Sequence, residues 1–540
     1  MISPKRSVSA VLVGAVSVYL LLAVTCVRTV GLVGETAIGW ALPSPPEVRV
    51  SLATSQPDTG LLRALQTRPT ERLVLGSVEF PLAVNAYTGG PPDWPARVAR
   101  ALTGSLAAGI ATHVGLGLLL LVLAHRFLRF HGTAVAAGAA ALVLATDWGF
   151  VFYRKVLGGT EVLLLAAGLL VVWALFSRRW KGGVHGTVAI AVGVGLGLLA
   201  KATFASTLVA IAIAALLTRW DHPALKPPRR VHAGALLGIT LLCVSPLIVA
   251  AIHHVRLPPP YVLSHDTLAM QLTRLSAPSP AREGLANLAF FFGNPLAFFH
   301  EAYGAVPVAP LSTLRGLGYA VTLLGIVLEW RAIGPEIGRA QSPSGALLRF
   351  LSLCVPLQIA LLFLANHDLH HLAQSTVLLA LLVGLAAERV AATVAPPRSA
   401  VRALAVGLLV SPHLLAGIHH LRNTDAIVST VRSPTFTEAG QQALVEALRA
   451  AGVTRLVTSD YEVYGMLDAR APEIAITHTW AAVSHGDRDV LPLASGGWYL
   501  EVRASAPMIY NWRPKAVPGG TVVAELSDAF GVWARLWKLP

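Results

Sequence analysis

The chain has 540 residues, of which 54% are hydrophobic and only 13% charged, with a mean hydropathy of +0.63. Soluble domains carry about a quarter of their residues as Asp, Glu, Lys and Arg, so this chain has too little polar surface to cover itself in water. The net charge of +14 is spread over short loops between apolar runs, with no basic tract interleaved with aromatics; this is the positive-inside pattern and points away from nucleic acid as a partner.

In chain order, Lys5 and Arg6 precede an apolar run at 10–33, longer than the roughly 7–15 residues of a signal-peptide core. It reads as a retained anchor with a cytoplasmic N-terminus. Further runs at 103–124, 133–152, 161–177, 186–200, 203–218, 232–254, 311–328, 347–366, 372–388 and 401–420 give about eleven membrane helices in all. The runs at 186–200 and 203–218 are short and meet at Ala200-Lys201-Ala202, which leaves open one broken element or a re-entrant pair. With this parity the inside loops hold Arg126/Arg129, Arg178/Arg179/Lys181, Arg219/Lys226/Arg229/Arg230, Arg331/Arg339 and Arg389/Arg398. Cys26, Cys243 and Cys354 all lie within apolar runs, so neither a disulfide framework nor a cysteine-based zinc site is expected.

Three segments face outward: a loop at 34–102, a Pro-rich loop at 255–310 and the tail. The second contains Leu288-Ala289-Phe290-Phe291-Phe292 and Leu296-Ala297-Phe298-Phe299, broken by Gly293-Asn294-Pro295, a pattern for short pieces at the interface or dipping into a cavity. In the tail, Thr437 to Ala451 reads as an amphipathic helix stopped by Gly452. Val453 to Ser459, Ile474 to Thr477, Gly497 to Val502 and Gly520 to Leu526 read as strands. The expected fold is a polytopic α-helical membrane domain over 1–421 and a small extracytoplasmic α/β domain over 422–540.

Ionisable groups at membrane depth are costly, and each invites a functional reading. Glu35, Asp147, Arg154, Lys155, Glu161, Lys201, His367, Asp368, His370 and His371 all fall at or near the outward ends of the expected helices, in one layer. Such a layer holds carboxylates that can take a proton and cations that can neutralise a phosphate. Each also has a plainer reading. A glutamate past a helix end is often only solvated, and Glu161 in a first helical turn suits the macrodipole. Arg154, Lys155 and Lys201 have stems long enough to snorkel. His367-Asp368-Leu369-His370-His371 suits a divalent metal, a phosphate or plain interfacial polarity. The pairs His253-His254 and His419-His420 read as interfacial helix ends.

The stretch LVLATDWGFVFYRKVLGGTEVLLLAAGLL at Leu142 to Leu170, GLGLLAKATFASTLVAI at Gly195 to Ile211 and NHDLHHLAQSTVLLALL at Asn366 to Leu382 resemble the membrane-embedded C-type glycosyltransferases, which include protein mannosyltransferases and bacterial aminoarabinose transferases. The resemblance implies transfer of a sugar from a polyprenyl-phosphate carrier to a lipid, glycan or protein acceptor at the outer face of the cytoplasmic membrane. It places Glu35 and Glu161 as the two acids of the site and Lys201 near the carrier phosphate. Arg154, Lys155, His367, Asp368, His370 and His371 then serve as substrate-binding groups. The chain departs from the family pattern in the isolated Gly34-Glu35-Thr36-Ala37, in Glu rather than Asp at 161, and in Ala-Thr after Lys201. A cofactor is not implied, and a divalent ion stays open at the histidine cluster. A transporter or lipid flippase is the runner-up, although those commonly show internal repeats and none is visible here. A non-catalytic envelope-assembly protein is the third reading.

Overall fold

The computed structural model describes residues 4–31, 72–75, 78–85, 88–156, 158–177, 184–218, 230–255, 288, 291–296, 312–332, 342–365, 372–396, 400–431, 434–458, 460–478, 497–503 and 519–540. Glu35, His367, Asp368, His370 and His371 lie outside the described residues.

Among the described residues, each apolar run expected from the sequence carries a helix: α1 (Pro4–Thr25), α3 (Leu106–His131), α4 (Ala134–Thr146), α6 (Gly158–Phe176), α7 (Val184–Ala200), α8 (Phe204–Leu217), α9 (Arg230–Val255), α10 (Ser312–Arg331), α11 (Pro343–Ala365), α12 (Thr376–Ala391) and α13 (Ala400–Val428). The helix of the first run ends at Thr25, the run expected at 133–152 is broken at Asp147 into α4 and α5 (Trp148–Val156), and α2 (Trp94–Thr103) lies within the segment expected as a loop. Among the described residues, five helices are long and apolar enough to cross a membrane, and further apolar helices are shorter. The chain is a multi-pass membrane protein.

The bundle is built round α4 and α12, whose residues are nearly all buried. Lipid tails give helices no hydrophobic reason to associate, so close approach of small residues must hold them. A Cβ on Gly384 of α12 would stand 2.6 Å from the Ala136 carbonyl of α4, and one on Gly417 of α13 would stand 2.1 Å from that of Thr146. A Cβ on Gly325 of α10 would meet the Ala386 carbonyl at 2.4 Å. Pro412 and His413 lie within α13, which runs on to Val428 beyond the expected end near 420. Its last turns stay inside the bundle, where Thr424 accepts from the Trp148 indole at 2.9 Å. His420 is buried there too, so it is not the interfacial helix end expected of it.

The pair α7/α8 is a hairpin. Gly193 of α7 lies against Ala167 and Val171 of α6, while Ala200 and Phe204 share a buried cluster with Leu164 and Ala167. Thus α7 runs antiparallel to α6, and α8 turns back alongside it. The reversal at Lys201-Ala202-Thr203 is tight enough that a Cβ on Gly197 would enter the Phe204 ring at 2.2 Å. Of the aromatic segment after 287, Phe291 and Leu296 are buried in the main core, and the Phe292 ring lies 5.0 Å from that of Tyr319.

Two short antiparallel pairs precede α2, β1 (Arg72–Leu75) with β2 (Val78–Pro81) and β3 (Ala83–Asn85) with β4 (Thr88–Gly89). The tail strands are β5 (Arg455–Thr458), β6 (Ala475–His478), β7 (Trp498–Val502), β8 (Thr521–Asp528) and β9 (Gly531–Lys538), which form a five-stranded sheet in the order β6-β5-β7-β9-β8. β5 pairs parallel to β6 and β7, and β9 pairs antiparallel to β7 and β8. Helices α14 (Glu438–Ala450) and α15 (Tyr461–Arg470) pack on it through Leu448, Tyr464 and Leu467 against Leu456, Leu500 and Leu536. Gly452, at φ +66°, ends the α14 region as its sequence position suggests. The sheet is tied to the membrane helices where α1 emerges: Val30 bridges Thr437, Gly31 N–H donates to Phe436 O at 2.9 Å, and Glu438 N–H donates to Thr29 O at 2.8 Å. Asp425 of α13 closes this joint, accepting from Thr29 N–H at 2.9 Å and Thr29 Oγ1 at 2.8 Å.

Because a methyl group at 417 has a carbonyl in its place, Gly417→Ala is expected to cost about 1–3 kcal/mol and lower the unfolding midpoint followed by tryptophan fluorescence in lipid nanodiscs. Gly407→Ala, with nothing within 4 Å of the added Cβ, is expected to leave the midpoint unchanged or raise it slightly.

Candidate functional site

The site is assembled from helix ends around a short extended crossing, β4 (Thr88–Gly89), followed by a 3-10 turn at Pro91–Asp93. Its glycines permit backbone-to-backbone contact. A Cβ on Gly89 would stand 2.2 Å from the Leu199 carbonyl at the end of α7, and a Cβ on Gly159 would stand 2.0 Å from the Pro92 carbonyl at the start of α6. The crossing thereby clamps the first turn of α6, with Glu161, and the last turn of α7, beside Lys201. Both side chains are about 1% exposed. The antiparallel register of α6 and α7 sets them at the same level of the bundle.

A polar frame holds this level together. Gly159 N–H, one of the orphan donors of a helix start, donates to Asp93 Oδ1 at 2.9 Å. The carboxylate thus caps α6 from another part of the chain, where its charge also complements the helix dipole. Nε2 of His113, wholly buried in α3, lies 3.2 Å from the same oxygen. On the far side, Gln374 Nε2 donates to Thr203 Oγ1 at 3.0 Å. Gln358 Nε2 donates to Thr207 Oγ1 at 2.8 Å and to the Gln374 carbonyl at 3.3 Å. These bonds fasten the Lys201 turn to α11 and to the 3-10 turn Ala373–Ser375 that leads into α12.

The outward layer read from the sequence is therefore assembled in part. Glu161 and Lys201 share it. Arg154 and Lys155 occupy the last turn of α5, directly before α6. Asp147 is engaged structurally, since its Oδ1 accepts from Phe150 N–H at 2.8 Å to cap α5 and its Oδ2 lies 3.4 Å from Arg315 Nη2. Glu35 and the His367–His371 cluster are outside the described residues, and among those described no three His, Cys, Asp or Glu side chains are grouped to hold a metal.

Asp93, His113, Thr203, Gln358 and Gln374 were missed from sequence. His113 had a signal, being an ionisable residue inside an apolar span. Asp93 had a weaker one, as the residue before Trp94-Pro95 at a helix start. The glutamines and threonine had none, because their partners are far apart in the chain. The sequence also missed an opposing polar layer. Glu329 pairs with Arg349 at 2.9 Å and Arg389 at 3.1 Å, and Glu388 pairs with Arg402 at 3.3 Å and accepts from Thr133 at 2.5 Å. Ionisable groups therefore occupy both ends of the bundle rather than one.

The tail reaches the same frame through α2, which starts at Asp93. Ala96 packs on Ala469 of α15, and Arg100 donates to the Ala469 carbonyl. Burial lowers the Arg100 guanidinium from its ordinary value to about 10, with Asp468 opposing the effect.

No protein-family model matches the chain, and no curated protein matches it. Solved structures do. ArnT from Cupriavidus metallidurans bound to undecaprenyl phosphate superposes with a TM-score of 0.57 at 13% identity, over 99% of this chain and 98% of that one. The apo form of ArnT gives 0.52 at 14% identity, over 98% of both chains. The chain shares the fold of ArnT. The oligosaccharyltransferase of Archaeoglobus fulgidus is more distant, with a TM-score of 0.49 at 13% identity over 92% of this chain and 70% of that one. The likeness to ArnT covers the sheet-bearing tail as well as the helices, since nearly the whole of each chain is aligned.

Removing the buried Gln374 side chain takes its donor from the half-buried Thr203 hydroxyl. Gln374→Ala is expected to cost about 1 kcal/mol, read as a lowered unfolding midpoint in nanodiscs. Thr393→Ala, at an exposed position bonded only to its own helix, is expected to leave the midpoint within error.

Proposed function

We propose that this protein is an integral-membrane glycosyltransferase that takes a sugar from a polyprenyl-phosphate donor and passes it to a hydroxyl or amine acceptor. The observation that carries the reading is the buried acidic and basic side chains Glu161 and Lys201, at one level of a fold shared with a protein solved with undecaprenyl phosphate. An acceptor oxygen or nitrogen attacks the anomeric carbon as the bond from that carbon to the phosphate oxygen breaks, and the phosphate leaves on its lipid. The acceptor's proton needs a base, and the departing phosphate needs cations.

Glu161 and Glu35 are the two carboxylates that can take the proton. Lys201, with Arg154, Lys155, His367, Asp368, His370 and His371, neutralises the phosphate or orients the sugar. Proton and charge balance close with side chains alone; a divalent ion at the histidine cluster would add to the neutralisation of phosphate. The layer lies at the extracytoplasmic face of the cytoplasmic membrane, with the N-terminus inside and the sheet-bearing tail outside. Polar groups gathered at helix ends, rather than at a mid-depth broken-helix site, favour transfer at a surface over transport through the bilayer.

The test uses purified protein in nanodiscs, undecaprenyl phosphate and a panel of undecaprenyl-phosphate sugars. Wild type is expected to bind the carrier and to release or transfer sugar. Lys201→Ala is expected to weaken carrier binding about tenfold or more, the scale of one lost charge-assisted hydrogen bond. Glu161→Gln is expected to bind within a few-fold of wild type and turn over at least about a hundredfold more slowly. Wild-type behaviour in both variants, or no carrier binding by wild type, would overturn the reading.

A further inference from the structure

Asp93 is 1% exposed, and its two carboxylate oxygens differ in occupation. Oδ1 is saturated, taking the Gly159 N–H at 2.9 Å with His113 Nε2 at 3.2 Å. Oδ2 is buried with no hydrogen-bond partner among the described residues, and the same holds for Oγ1 of Thr160, also 1% exposed. A buried carboxylate oxygen without a donor costs the desolvation of that group, and native structures seldom leave such atoms unexplained. Here two of them belong to adjoining pieces of one clamp. Asp93 holds Gly159, Thr160 is the next residue, and Glu161 follows. The Gly159 cap and the His113 contact both use Oδ1, so neither accounts for the second oxygen.

We propose that Asp93 is a third carboxylate of the site: Oδ1 fixes the first turn of the helix that carries Glu161, and Oδ2, with Thr160 Oγ1, receives a hydroxyl or ammonium group of the bound sugar. The inference rests on the carrier-linked glycosyltransferase reading and adds to it a subsite for the glycosyl group, separate from the one that holds phosphate. The ligand chemistry follows from the atoms. Oδ2 can only accept, so it selects a donor. Thr160 Oγ1 both donates and accepts, which suits one hydroxyl or amine of a pyranose but offers nothing charged to a phosphate. His113 and the capped helix start keep the carboxylate from rotating.

The experiment compares bare undecaprenyl phosphate with undecaprenyl phosphate carrying a neutral hexose or an aminopentose, binding each to wild type, Asp93→Asn and Thr160→Val in nanodiscs. Asn keeps an acceptor for Gly159 but brings an amide where Oδ2 stood. Wild type is expected to bind at least one sugar-bearing carrier more tightly than the bare one, and Asp93→Asn and Thr160→Val are each expected to lose about tenfold in affinity for that sugar carrier while binding the bare carrier like wild type. Variants that bind both forms like wild type, or that lose both forms alike, would reduce Asp93 to a helix cap and overturn the proposal. A wild type that binds bare undecaprenyl phosphate yet gains nothing from any sugar would overturn it while leaving the carrier reading in place. A wild type that binds no carrier at all would remove that reading and this one together.

Discussion

Hydrocarbon offers a buried amide or charge no water to turn to, and a polar group in a membrane bundle must find its partners inside the protein. Small-residue packing meets one half of that constraint. Alanine and glycine faces let α4, α10, α12 and α13 approach until backbone carbonyls stand where a Cβ would be. Among the described residues, the acids and arginines of these helices lie toward the helix ends, where orphan backbone groups and one another can satisfy them, while the buried His413 packs on Tyr319 between α13 and α10.

The two ends satisfy them differently. At one, two described acids face arginine: Glu329 has Arg349 and Arg389, and Glu388 has Arg402. Buried pairs of this kind are costly to break, and they act as a clamp. At the other end, the charges surround a chain crossing so tight that Gly89 and Gly159 are required by contact with carbonyls. There Asp93 caps α6 and faces His113 through the same oxygen. The same crossing continues into α2, which touches the tail through Ala96 and Arg100. The tail in turn bridges the end of α1 at Val30. The site layer, the crossing at 88–93 and the sheet are thus joined by contacts among the described residues.

The helices were legible because a continuous apolar run has one cheap solution in a membrane. The hairpin at Lys201 was ambiguous in sequence; the contact of Phe204 with Gly197 resolves it, and that contact depends on a reversal that no local propensity encodes. In the tail, α14 and four strands followed from periodicity and Gly452. Helix α15 and strand β9 did not. The first has a glycine at 465 and little amphipathic pattern, and the second carries Arg535 and Lys538 among its apolar residues. Lys201 and Glu161 could be singled out as charges at the edges of apolar runs. Their frame could not, because Asp93 to Gly159 and Gln374 to Thr203 are contacts between distant parts of the chain. His420 shows the opposite error: a histidine near an expected helix end looks interfacial until the helix is seen to continue.

The central claim is that the layer containing Glu161 and Lys201 is where a lipid phosphate and its sugar meet. An experimental structure of the protein in nanodiscs with undecaprenyl phosphate tests it most directly. The account predicts the phosphate in contact with Lys201, with space toward Glu161 and Asp93 for a sugar. A phosphate bound instead in the arginine layer around Glu329 and Glu388, or on an outer helix face away from both acids, would contradict it.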